Sequence, residues 1–348
     1  MRTFDYKKLE NKTWDNEITR LLSFIHEERG KQNLYLKQKP LELEKLVEIA
    51  KVQSTEASNA IEGIRTTNTR LRQLMNDKTK PRNRDEKQIA GYREALNVVH
   101  ESFDFIPLKV NYILQLHEIM LSYTDSMFGG KFKNAQNYIS ATDGSGRSYT
   151  LFTPLDPFET PIAMEALCEE YNRVIGEGKV DPLLVIPIFI HDFLCIHPFM
   201  DGNGRMSRLL TTLLLYQNGY YVGRYISLEA KISINKDLYY DSLYASQQNW
   251  YEGNDDPIPF IKYILGTIAS AYKDFETRVS LVLNVETTED MVRRAIESKI
   301  GKFTKTDIHE LIPSVKEKSL ERYIKILCDS KEIEKHGQGK STYYVRIK

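Results

Sequence analysis

Eighteen consecutive residues, Pro182 to Phe199 (PLLVIPIFIHDFLCIHPF), form the most hydrophobic stretch of the 348-residue chain. A membrane span needs about 20 apolar residues, and this stretch is shorter and carries His191 and Asp192 inside it, so it is predicted to be a buried helix. Much of the remaining chain has the same character. The segments ITRLLSFIHEE, LELEKLVEIAKVQ, EKQIAGYREALNVVHESF, VNYILQLHEIML and PIAMEALCEEYNRVI repeat apolar residues at intervals of three and four, the period of helices with one buried face. One interval departs from it. After Gly129-Gly130, the run KFKNAQNYISATDGSGRSYTLFTPLDP sets Asp143-Gly144-Ser145-Gly146 between short β-prone pieces, which predicts a hairpin from about Asn137 to Pro154. A second helical block runs from about Asn203 to Arg278, broken by the polar turn 252–257, where Pro257 can open the next helix.

From about Val285 the texture changes: a helix near EDMVRRAIES, a short helix TKTDIHELI, a turn at Pro313-Ser314, the helix VKEKSLERYIKILCDS, then strand-like EIEKH and TYYVRI joined by Gly337-Gln338-Gly339-Lys340. Helix, turn, helix and hairpin is the order of a winged helix-turn-helix. The predicted organisation is therefore mainly α: an amino-terminal helical region (1–80), a helical core with a hairpin (81–283) and a small winged-helix-like domain (284–348). Lys+Arg and Asp+Glu both number 48, so no global field draws the chain toward nucleic acid or anionic lipid. Any electrostatic function must be local. In the tail, Lys316, Lys318, Arg322 and Lys325 could meet DNA phosphates, yet Glu317 and Glu321 interrupt that face, and a protein-contact role competes with it. The scattered Cys168, Cys195 and Cys328 lack metal-ligand spacing and suit a reducing compartment. The opening MRTFDYKKLENKTWDNE has no apolar core of a signal peptide, so a cytoplasmic protein without membrane contact is expected.

The chemistry is concentrated in His197 to Arg208, HPFMDGNGRMSR. The apolar run ends at His197, Pro198 stops the helix, and Gly202 and Gly204 flank Asn203 where a new helix is predicted to begin. Glycines let the backbone approach a phosphate, and the free N–H groups and positive dipole end of the next helix attract it. Arg205 and Arg208, three apart on the first turn, can both grip one polyphosphate through two-pronged guanidinium contacts. Asp201 on the rim is the kind of single carboxylate that Mg2+ uses beside a polyphosphate. His197, with an ordinary pKa of about 6.5, can take a proton from a hydroxyl. A Gly-Asn-Gly turn or a histidine after an apolar run is commonly structural. Together they point to transfer of part of a nucleotide to an alcohol or phenol.

HPFMDGNGRMSR matches throughout the signature H-P-F-x-(D/E)-G-N-G-R-x-x-R, and from about Lys51 to Ile264 the chain resembles the Fic family. The resemblance implies a helical fold with a β-hairpin flap and transfer of AMP from Mg·ATP to a Ser, Thr or Tyr hydroxyl of a target protein, this chain itself included among the candidates. By position it implies His197 as general base and Asp201 as the Mg2+ ligand. Gly202, Asn203 and Gly204 become the anion nest, with Asn203 on phosphate, and Arg205 and Arg208 the phosphate clamps. The hairpin resembles the flap that holds a target segment by strand pairing. Tyr239 and Tyr240 resemble the paired tyrosines near the adenine pocket, with plain helix packing as their alternative. Gln247 stands where some relatives carry Asn, which leaves the choice between ATP and another nucleotide such as UTP open. The resemblance also allows a homodimer, with the amino-terminal helices as its surface.

A second motif lies in STEASNAIEGIRTT. Ser58 and Glu62 share one helical face, and Gly63 follows as a helix terminator. A carboxylate in the last turn faces the negative end of the helix dipole, so a cation should answer Glu62. Ser58-x-x-x-Glu62-Gly63 resembles the family's inhibitory-helix motif, which implies that Glu62 pairs with Arg208 and keeps the γ-phosphate from it. In some relatives the same glutamate aligns a water for removal of AMP. The competing class is a winged-helix DNA-binding regulator whose core senses a nucleotide.

Overall fold

In the computed structural model, which describes residues 2–38, 40–142, 144, 146–283 and 287–347, the apolar run is the central helix. Its elements in chain order are α1 (Asn16–Gln38), α2 (Pro40–Ile61), α3 (Asn68–Met75), α4 (Arg84–Ser102), α5 (Val110–Leu121), β1 (Ile139–Thr142), β2 (Ser148–Phe152), α6 (Thr160–Glu177) and α7 (Pro182–Ile196). There follow α8 (Asn203–Gln217), α9 (Val222–Tyr225), α10 (Leu228–Ile234), α11 (Lys236–Ser246), α12 (Ile258–Leu283), α13 (Thr288–Glu297), β3 (Lys302–Phe303), α14 (Lys305–Leu311), α15 (Glu317–Asp329), β4 (Ile333–His336) and β5 (Tyr343–Arg346). The expected mainly helical fold is what forms.

Helix α7 starts where Asp181 accepts the Leu183 N–H (2.9 Å) and Pro182 occupies the first turn, and it is enclosed by α6, α8 and α12. Between Leu183 and Ile196 every residue but Leu194 is buried. One hydrophobic cluster extends from Phe4 to Val279, so α1 and α2 share the core that holds α7. Helices α4 and α5 meet at Gly91, where a Cβ would collide with the Met120 carbonyl. Backbone cannot yield as a side chain can, so Gly91→Ala is expected to lower the unfolding free energy by about 3 kcal/mol. An unchanged urea midpoint would show that the two helices are not so closely seated.

Strands β1 and β2 pair antiparallel, with Ala141 opposite Tyr149 and an irregularity between Ile139 and Ser140. The hairpin rests on an aromatic shelf. Phe152 lies 6.3 Å from the Trp250 ring and 6.1 Å from Tyr251, whose hydroxyl donates to the Thr153 carbonyl (2.8 Å). Asp143 and Ser145 of the expected turn, and the expected boundary at 284, lie outside the described residues.

Beyond Thr287 a second cluster, from Val292 to Tyr344, gathers α13, α14, α15 and a sheet in the order β3-β5-β4. Strand β3 was not among the expected pieces; two residues are too short to show a period of two. Part of the tail's charge is internal, because Lys305 is paired with Glu321 at 2.5 Å. Gln53 of α2 donates to Glu310 of α14 (3.1 Å), so the tail touches the helix that carries Ser58. Among the described residues, no helix is long and apolar enough to cross a membrane.

Candidate active site

Helix α7 ends at His197, which sits in the left-handed region (φ 52°) while its N–H still donates to the Phe193 carbonyl (2.9 Å). Its ring lies against the Leu194 carbonyl, 3.3 Å from Nδ1. A carbonyl only accepts, so Nδ1 carries the proton and Nε2 is left with its lone pair. Burial pulls the His197 pKa down to about 4; the Leu194 carbonyl and Glu62 raise it and Lys133 lowers it further. The imidazole is therefore neutral at pH 7.

The loop that follows is braced from within and below. Asn203 accepts the Phe199 N–H (2.9 Å) and donates to the Phe199 carbonyl (2.7 Å). Its buried amide thereby closes the loop on itself. His117 of α5 stacks on Phe199 at 3.7 Å between centroids. Its Nδ1 accepts the Gly130 N–H (3.2 Å), which leaves Nε2–H to donate to the Asp201 carbonyl (3.0 Å). Gly202 takes φ 86° with Met120 beneath it, and α8 starts at Asn203. The first-turn N–H groups of a helix have no partner within it, so this end of α8 is an electropositive surface.

Two guanidinium groups lie on that surface. Arg205 is 1% exposed, donates from Nη2 to Asp201 (3.3 Å), and has no partner for Nε or Nη1 among the described residues. Burial pulls its pKa below the usual value, a pull only partly offset by Asp201 and Glu62. Arg208 donates from Nε to the Ser58 hydroxyl (2.9 Å) and from Nη2 to both the Ser58 carbonyl (2.9 Å) and Glu62 (2.8 Å); its Nη1 has no partner among the described residues. Burial works against its charge too, but Glu62, with Tyr239 and Tyr92, more than offsets this and the pKa stands above the usual value. Unanswered buried donors cost free energy unless an anion meets them.

Glu62 is held by the way α2 ends. The Gly63 N–H (φ 80°) bonds to the Ala60 carbonyl and the Ile64 N–H to the Asn59 carbonyl, both at 3.0 Å, the paired bonds of a Schellman cap with Glu62 as its C-cap. The carboxylate then lies over the start of α8: a Cβ on Gly204 would collide with its Oε1. The cation that the helix dipole called for is Arg208.

A cavity of about 590 Å³ opens between these parts and the hairpin. Glu62, His197, Asp201, Gly202, Asn203, Gly204, Arg205, Arg208, Tyr239, Tyr240 and Gln247 all line it, and so do residues 138–141; Ser58 and Gly63 act from behind. The two tyrosines differ. Tyr239 is buried among Phe260, Tyr263 and Tyr240, whereas Tyr240 is 42% exposed. The residues that sequence reasoning missed are His117, Lys133, Gln136 and Asn137. His117 sits on the apolar face of α5, where a histidine is ordinarily a core residue, and the other three lie in an irregular segment with no period to read. Among the described residues, one group of His and Asp atoms lies close enough to share an ion, His191, Asp192 and Asp255. Arg2 already bridges its carboxylates, 2.6 Å from Asp255 and 3.8 Å from Asp192, and Asp192 accepts from Tyr6 and Trp250.

Residues 107–215 match the profile of the Fic/DOC family. Over 147 residues the chain is 32% identical to a Fido domain-containing protein of Dictyostelium discoideum, a match spanning 41% of this chain and 98% of that protein. It is 27% identical over 137 residues to the protein adenylyltransferase Fic of Drosophila willistoni, which covers 39% of this chain but only 25% of the fly protein. Among solved structures, a Fic family protein from Desulfovibrio desulfuricans G20 superposes with a TM-score of 0.64 at 21% identity over 97% of both chains. Residues 134–508 of Fic-1 from C. elegans give 0.58 at 20% identity, over 76% of this chain and 73% of that one. These two likenesses concern the fold. The match along nearly the whole Dictyostelium protein goes further, and on it this chain belongs to the Fic/DOC family.

Proposed function

We propose that the chain transfers AMP from Mg·ATP to a Ser, Thr or Tyr hydroxyl of a protein and that its own α2 holds it back. The observation that carries the reading is the pair of buried arginines, Arg205 and Arg208, which line a cavity at the start of α8 and keep N–H donors without a partner among the described residues. A polyphosphate is the anion that such a fork, backed by a helix N-terminus, best accommodates. The fly relative named as a protein adenylyltransferase supports the choice of reaction.

In this reading the backbone from Gly202 to Gly204 and the two arginines hold the triphosphate. The Asp201 side chain is 48% exposed at the cavity edge with one oxygen toward Arg205, which fits Mg2+, an ion that takes one or two carboxylates beside phosphate. When bound, that ion neutralises developing charge on the phosphate oxygens. His197 Nε2 takes the proton of the acceptor hydroxyl as its oxygen bonds to the α-phosphorus; the bond to the bridging oxygen breaks and pyrophosphate leaves. Tyr240 and Gln247, which also line the cavity, are assigned to the nucleotide base. Glu62 occupies Arg208, so ATP binds without its α-phosphate in line for attack. We divide the chain accordingly into an inhibitory region (1–80), a catalytic core (81–283) and a tail (284–348).

The test is to incubate Glu62→Gly protein with metal and each labelled nucleoside triphosphate. Labelling with ATP supports the reading, labelling with UTP alone corrects the nucleotide, and none with any of them overturns it. Because the base works only when unprotonated and burial lowers its pKa to about 4, the rate should stay flat from about pH 8 to about pH 6 and fall only as pH approaches that value. An acid limb near the ordinary pKa of about 6.5 would mean that the working histidine is not buried as His197 is.

A further inference from the structure

Between α5 and the hairpin runs an irregular strap whose polar groups converge on one target. The Lys133 ammonium donates to the Ile196 carbonyl (2.8 Å), the Lys133 N–H to the Pro198 carbonyl (2.8 Å), and the Asn137 amide to the carbonyls of His197 (3.3 Å) and Phe199 (2.9 Å). Four consecutive carbonyls, 196 to 199, are thus answered by two residues. Those of Ile196 and His197 are the last acceptors of α7 and its cap, those of Pro198 and Phe199 belong to the loop beyond, and a non-glycine residue in the left-handed region, as His197 is, persists only where its surroundings hold it. The strap is itself cross-tied, because Lys133 also donates to Asn137 Oδ1 (3.1 Å). Burial pushes the Lys133 pKa down to about 8, partly countered by Asp156, so the group is still a cation at neutral pH and faces the negative end of the α7 dipole.

The same strap closes the base of the hairpin. Gln136 donates to the Pro154 carbonyl (2.8 Å), just beyond β2, and to the Asn137 carbonyl (3.0 Å), just before β1. One five-residue segment therefore ties the hairpin at one end and the loop of the base at the other. We infer that Lys133, Gln136 and Asn137 are positioning residues that set the His197 imidazole in register with an acceptor lying along the β1–β2 hairpin. The inference rests on the transfer reading above. None of the three lines the nucleotide cavity, so they govern turnover and not nucleotide affinity.

The experiment uses the full chain carrying Glu62→Gly, with Asn137→Ala, Gln136→Ala, Lys133→Met and Lys133→Arg added singly. A displacement of about 1 Å costs on the order of 10²-fold, so Asn137→Ala should lose about that much in kcat while the Kd for Mg·ATP by calorimetry changes less than about threefold. Lys133→Arg should recover much of what Lys133→Met loses, and Gln136→Ala should lose less than Asn137→Ala. Undiminished turnover in Asn137→Ala, or a loss of ATP binding as large as the loss of turnover, overturns the inference. Should the Glu62→Gly parent label nothing, the transfer reading fails instead, and hydrogen exchange across 194–204 then decides the strap. Faster exchange confined to that segment in Asn137→Ala supports it, and unchanged exchange overturns it.

Discussion

Replacing Glu62 with glycine is expected to raise the rate of nucleotide transfer about a hundredfold. The carboxylate makes a 2.8 Å contact with Arg208 and lies over Gly204, so in the proposed reading it competes with phosphate for both charge and space. A charged hydrogen bond of about 2–3 kcal/mol, returned to the transition state, converts to roughly that factor. Glu62 is the C-cap of a Schellman turn whose bonds are all main-chain, so glycine there leaves the end of α2 intact. A second reading separates the gate from general loosening. Without nucleotide the variant should melt below the wild type, because Arg208 has lost a counter-charge, and ATP with metal should raise its melting temperature by more than it raises the wild type's. Equal shifts in the two proteins, with equal rates, would remove Glu62 from regulation.

The largest loss is expected from His197. Removing a general base, the role proposed for His197, costs about 10² to 10⁴-fold, so His197→Ala in the Glu62→Gly protein should bring labelling to background while ATP still binds, since the donors proposed to hold phosphate belong to α8 and the arginines. Position 197 has φ 52°, where alanine is strained by about 1–2 kcal/mol. His197→Asn is the better probe, because asparagine visits that region more readily and has no basic nitrogen. Both variants should fail alike in turnover and differ in stability. Substantial labelling by His197→Asn would mean that another group takes the proton.

The parts of this site that were legible in the sequence are those where one local cause suffices. Pro198 and Gly202 mark the bend, the three-residue spacing puts Arg205 and Arg208 on one turn, and Gly63 ends α2 so that Glu62 must meet a cation. What was not legible depends on residues far apart in the chain. Nothing in KFKNAQN announces that Lys133 and Asn137 will face the carbonyls of 196–199, because a strap without a period has no face to compute. Nor does the motif show that the Asn203 amide bonds to both backbone groups of Phe199, since a buried amide takes the nearest complementary partners. Likewise Arg2 and Tyr6 reach Asp192 across the whole core, a pairing that no local spacing encodes.

Ser58 has a consequence for timing. Its hydroxyl and carbonyl hold Arg208 at Nε and Nη2, and neither bond involves the Glu62 side chain. On the inhibitory role proposed for Glu62, the guanidinium is thus already aimed before that carboxylate leaves it, with no rotamer search to follow. Progress curves started by adding nucleotide to the unbraked enzyme should therefore begin at full slope, without a lag.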